Sequence, residues 1–92
     1  EASPSAELVT EGRIVAAGSL ADRGKMADAV RELEKGWKAP KTAKEYHLRR
    51  AYALADLYER IGELPKARVL MGWVANQDAE FADAAYRAGS MQ

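Results

Sequence analysis

The chain contains no cysteine and only one histidine, His47. The first absence excludes a disulfide framework and a thiolate nucleophile. A lone histidine is too few for a histidine-based metal cluster, and His47 reads as an ordinary surface or groove-rim side chain, not as the base of a Ser-His triad. Charge of one sign is also missing, with 14 basic residues against 14 acidic ones. No excess draws the chain as a whole toward nucleic acid or an anionic membrane. No apolar run approaches the ~18 residues of a spanning helix, and no secretory signal is visible. The expected location is therefore cytoplasmic. Because the chain opens on Glu1 and not on methionine, that end reads as processed or cut from something longer, and a removed leader stays open as an alternative. Finally, no segment alternates polar and apolar with the period of a strand, so the expected fold is all-α.

What is present is 48% apolar and 30% charged, the composition of one globular domain. Residues 1–6, EASPSA, read as a linker or frayed end, with Ser3 or Ser5 as the first helix cap, and residues 7–92 as a helical domain. A first helix over 6–23 is alanine-rich and poor in large side chains, and Gly24 ends it. From Met26 the apolar positions Met26, Ala29, Val30, Leu33 and Trp37 fall on one stripe of a second helix. Pro40 stops that helix, and Thr42 with Glu45 has the spacing of a capping box for a third, over 43–61. Leu48, Ala51, Tyr52, Leu54, Ala55, Leu57, Tyr58 and Ile61 cover more than one stripe of this third helix. It is expected to be packed on two sides, at the centre of the domain. Gly62 suits a left-handed C-cap and Pro65 the first turn of a fourth helix, whose stripe is Ala67, Leu70, Met71 and Val74. Asp78 is the expected cap of a short fifth helix over 79–89, with Phe81, Ala82, Ala85 and Ala88 as its weak stripe.

The two hairpins superpose by subtraction. Gly62 minus Gly24 is 38, as are Leu64 minus Met26, Ala67 minus Ala29, Met71 minus Leu33, Ala55 minus Ala17 and Tyr58 minus Leu20. A fixed period of this length marks stacked helical pairs. In the segment YALADLYERIGELPKARVLM, Leu54, Ala55, Tyr58, Gly62, Leu64 and Ala67, continued by Met71, Val74 and Asp78, resemble the tetratricopeptide repeat (TPR), a family of ~34-residue helical hairpins. The wording of this segment is also similar to TPR proteins of actinobacteria. The match is strong over 48–81 and weaker over 10–37, where Ala16 replaces a large apolar residue and Arg13 an aromatic one. KAPKTAKE lengthens the first period, and Ala79 stands where the family often has proline.

The resemblance implies two TPR-like hairpins with a C-terminal capping helix, a non-catalytic module that binds a segment of another protein on its concave face. Carrying over the family's groove positions gives Glu11, Ile14 and Gly18, then Arg49, Tyr52 and Asp56, then Asp83 and Tyr86. Ile14, Tyr52 and Tyr86 would form a ladder flanked by the Arg49 and Asp56 charges, and tyrosine and arginine are enriched in binding hot spots. Against this stands a local reading in which Tyr52 and Tyr86 pack between helices and Arg49 pairs with Glu45 at i, i+4. The carboxylate clamp of one TPR subset is absent, since Ile14, Gly18 and Ala53 stand in its places beside Arg49, with Arg87 the only other cation in register.

Other chemistry is weakly signalled and no cofactor is expected. GKMADA lacks both the first glycine and the metal-binding hydroxyl of a phosphate loop. Asp56, Glu59 and Glu63, or Asp78, Glu80 and Asp83, sit at helix-surface or helix-start spacing, often beside cations, and read as solvated charge. Two interaction alternatives are retained. One is a homodimer, or docking within a longer protein, through Ala82, Ala85, Tyr86 and Met91, the alanine-rich first helix, or an exposed Trp73. The other, more distant, is RNA or an acidic partner on the 35–50 window, where Lys35, Lys38, Lys41, Lys44, Arg49 and Arg50 face the single acid Glu45.

Overall fold

Ser5 closes the N-terminal segment. Its hydroxyl oxygen accepts the Leu8 N–H at 3.1 Å, and α1 (Ala6–Asp22) starts behind that cap. The computed structural model describes residues 5–90, so the alternative cap Ser3 and Met91, expected to be exposed, fall outside the described residues. Four helices follow: α2 (Met26–Glu34), α3 (Glu45–Arg60), α4 (Leu64–Gln77) and α5 (Ala84–Ser90). The fold is all-α, with no strand among the described residues. None of the helices in that range is long and apolar enough to cross a membrane.

The 38-residue offset is present in the backbone. Gly24 and Gly62 both take positive φ, at 79° and 84°. At the first, the Lys25 N–H bonds to the Leu20 carbonyl at 2.8 Å and the Gly24 N–H to that of Ala21 at 2.9 Å. At the second, Glu63 bonds to Tyr58 at 2.8 Å and Gly62 to Glu59 at 3.1 Å. Each is the paired closure that satisfies orphan carbonyls when a glycine adopts the left-handed conformation. Turns this short leave consecutive helices as antiparallel neighbours, and α1 packs on α2 as α3 packs on α4. Equivalent core positions are buried alike: Ala17 with Ala55, Ala29 with Ala67, and Leu33 with Met71.

Helix α3 is the centre, as its two stripes require. Leu48, Ala51, Leu54, Ala55, Leu57 and Tyr58 are all buried, and the helix packs against α1, α2 and α4. By contrast α1 buries only Thr10 and Ala17. Its Gly12 and Gly18 are exposed within the helix, and a Cβ added at either meets nothing within 4 Å. Each replacement by alanine is expected to stabilise the fold by about 0.4–1 kcal/mol through the unfolded chain. Urea unfolding of Gly12→Ala/Gly18→Ala should show a raised midpoint at unchanged slope.

Four local expectations are corrected. The second helix stops at Glu34, because Gly36 adopts φ 69°, so Trp37 is not on its stripe. At the start of the third, the helix begins two residues later than the Thr42 and Glu45 box needs. Glu45 is its first residue, and the cap is the Lys44 N–H donating to His47 Nδ1 at 2.9 Å. Burial, then the Lys44 and Arg50 charges, hold His47 below the usual histidine value, which keeps the imidazole neutral and able to accept. The fifth helix starts at Ala84 and not at 79. Asp78 instead closes a turn by accepting the Glu80 N–H at 3.0 Å, and Ala82 at φ 49° is left-handed, which no helix can run through. Trp73, expected to be exposed, is half-buried and meets Trp37 edge-on with ring centroids 5.6 Å apart.

Candidate functional site

The five expected groove residues come from three helices: Ile14 on α1, Arg49, Tyr52 and Asp56 on α3, and Tyr86 on α5. On α3 they recur at three- and four-residue spacing, which keeps them on one face. Arg49 reaches back to α1, where its Nε donates to Glu11 at 2.9 Å and a second guanidinium nitrogen also bonds Glu11. It keeps the local partner as well, with Glu45 at 3.5 Å. The hydrogen bond to Glu11 raises the Arg49 pKa above its ordinary value.

Tyr52 faces the other way, toward α5. Its ring meets Phe81 edge-on at 5.9 Å, and its hydroxyl donates to Asp83 and accepts from Arg87. The Asp83 bond, reinforced by burial, raises the Tyr52 pKa. Arg87 is the hub. It lies 5.4 Å from the centre of the Tyr52 ring and pairs with Asp56 at 2.9 Å and with Glu59. Burial alone would lower its pKa, but the bonds to Glu59, Tyr52 and Asp56 outweigh that and raise it. Asp56 is shared further, with Arg60 at 3.0 Å.

Ile14 and Asp56 line one small cleft of about 190 Å³ together with Gly18, Asp22, Ala53 and Arg60. Tyr86 is 77% exposed, and the side chain stacked on Tyr52 is Arg87 rather than Tyr86. The structure thus joins Ile14 to Asp56, and Tyr52 to Asp56 through Arg87, while Arg49 is tied to the α1 end of the face. Chemically the face offers paired charges beside a small cleft lined by both apolar and charged side chains. No group of three or more metal-ligating side chains is gathered among the described residues.

Two features had no sequence signal strong enough to find them. The Arg87 hub depends on the turn at 78–83 that swings α5 against α3, a long-range placement that local spacing does not encode. The second is an apolar cleft of about 530 Å³ between the α2–α3 connection and α4, which exists because α2 ends early. No known family matches this chain, and neither a curated protein nor a solved structure matches it.

Proposed function

We propose that the chain is a non-catalytic protein-interaction module of TPR type, acting in the cytoplasm and holding a partner segment on the face built by α1, α3 and α5. The observation that carries this reading is the duplicated hairpin. The same closure and the same buried positions, small residues among them, recur 38 residues apart, and stacked hairpins of this kind use their extended surface for binding. Ile14, Arg49, Tyr52, Asp56 and Tyr86 form the partner surface, with Arg87 holding Tyr52 and Asp56 in place.

A cross-linked pull-down with the native domain and a Gly18→Arg/Tyr86→Ala variant tests it. Gly18 lines the cleft with free space where a side chain would grow, and Tyr86 is exposed, so circular dichroism should show both proteins folded. The expected result is a partner captured by the native form and lost from the variant. Capture of the same proteins by both would remove the groove from the reading. A second reading, self-association, is favoured by Leu8 and Val15, which are 67% and 71% exposed and two turns apart on α1. A mass that rises with concentration in light scattering would favour it.

A further inference from the structure

Helix α5 is held on the domain more by polar bonds than by apolar burial. Of its seven residues only Ala84 is buried, and Tyr86 is 77% exposed. The turn before it carries Ala82 at φ 49°, a left-handed conformation that residues with a Cβ avoid, so docking α5 keeps that turn under strain. Lifting α5 would release it. A helix this short does not hold together by itself in water, where isolated helices need about 12–15 residues to be even marginally stable. The segment 78–90 is therefore a two-state element, docked and helical or lifted and unfolded, of the kind that opens locally while the rest of a domain stays folded.

What the segment covers is part of the groove face itself. The Tyr52 hydroxyl donates to Asp83 and accepts from Arg87 at 3.1 Å, and the Tyr52 ring meets Phe81. Asp56 is used at both oxygens, by Arg87 at 2.9 Å and by Arg60 at 3.0 Å, and Arg87 also bonds Glu59. While α5 is docked, Tyr52 and Asp56 cannot serve a partner without giving up a bond. With α5 lifted, the face keeps an aromatic ring and two carboxylates, with Arg60 as their remaining ion-pair partner. An arginine fits that set, because its planar fork bonds carboxylates while its flat face lies on a ring. Arg87, 5.4 Å from the centre of the Tyr52 ring, shows the fit within the chain. We infer that the segment 78–90 is an autoinhibitory strap, occupying the face of Tyr52, Asp56 and Glu59 in place of a partner segment that carries an arginine and an aromatic side chain. On the groove reading, on which this depends, Tyr86 is open to a partner from the start, and Tyr52 and Asp56 only once α5 lifts.

Amide exchange on the full chain, read by NMR, tests the strap without a partner. The Ala84 and Arg87 amides, which donate to the carbonyls of Phe81 and Asp83, should exchange about tenfold or more faster than the slowest amides of α3 and α4. Arg87→Ala should speed them by about tenfold again with α3 and α4 unchanged, which also shows that the variant is folded. The probe for competition is the capped peptide DAEFADAAYRAGS, the sequence of 78–90. It should shift the Tyr52 and Asp56 amides of the Arg87→Ala chain saturably, with a Kd about tenfold or more below that for the native chain, where docked α5 reduces the competent fraction. A peptide with alanine in place of its arginine should bind about tenfold or more weakly than the parent. Four outcomes would overturn the proposal: α5 amides as slow as those of α3, no saturable shift at millimolar peptide, equal Kd for the native and Arg87→Ala chains, or equal binding of the alanine peptide. Slower α5 exchange at higher protein concentration would overturn it too, since a second copy would then hold the strap. Failure of the strap leaves the pull-down on Gly18 and Tyr86 to judge the groove by itself, and identical capture there would remove the groove whatever α5 does.

Discussion

Met71→Ala should lower the unfolding free energy by about 2–5 kcal/mol, the range for truncating a fully buried Met or Leu. Met71 is completely buried, one turn from the equally buried Ala67 and Val74 of α4. The lost thioether cannot be replaced by water, and the small neighbours have little side chain with which to collapse into the gap. For a chain of this size each kcal/mol corresponds to about 4–8 °C in Tm, and the total stability of such a domain is only about 5–15 kcal/mol. Leu33→Ala, at the equivalent position of the first hairpin, should fall in the same range, because Leu33 is also fully buried. Val69→Ala, on the exposed side of the same helix, is the control and should stay within about 0.5 kcal/mol. Thermal and urea unfolding of the three variants give the comparison. A loss at Met71 no larger than at Val69 would show that the second hairpin has no packed interior.

Ala67→Leu should cost about 1–3 kcal/mol by the opposite mechanism, forcing extra atoms into a contact that is already filled. Ala55 on α3 and Ala67 on α4 are both completely buried, and small side chains at such positions let two helices approach closely. The larger Leu54, Tyr58 and Met71 fill the space around them. Ala29→Leu carries the same expectation at the repeat-related position. Ala85→Leu on α5, where the alanine is exposed, should be nearly neutral. A lowered urea midpoint at constant slope is the expected readout for the buried pair. If Ala67→Leu were tolerated as readily as Ala85→Leu, the alanines would not be spacers and the hairpin packing would need another cause.

The groove and Trp37 differ in how far they could be read in advance. The resemblance to TPR hairpins implied Ile14, Arg49, Tyr52, Asp56 and Tyr86 as groove positions, carried over onto the matching places of each repeat. Their partners could not be read that way, because Arg49 bonds to Glu11 and Arg87 to Asp56 across 38 and 31 residues. Trp37 was misread for a related reason. Trp37 fits the stripe of a longer helix, and periodicity does not register that Gly36 has left the helical region.

Local chemistry determined the all-α class, the two glycine closures, a serine cap at the start of α1, the central place of α3 and the 38-residue correspondence. Each depends on residues within a turn or two of one another, or on a pattern that one helix face must repeat in order to bury itself. Tertiary structure decided that α2 ends at Glu34, that α5 is delayed to Ala84, and that Arg87 rests on Tyr52. In those places several local conformations are close in energy, and contacts formed by residues distant in the chain select among them.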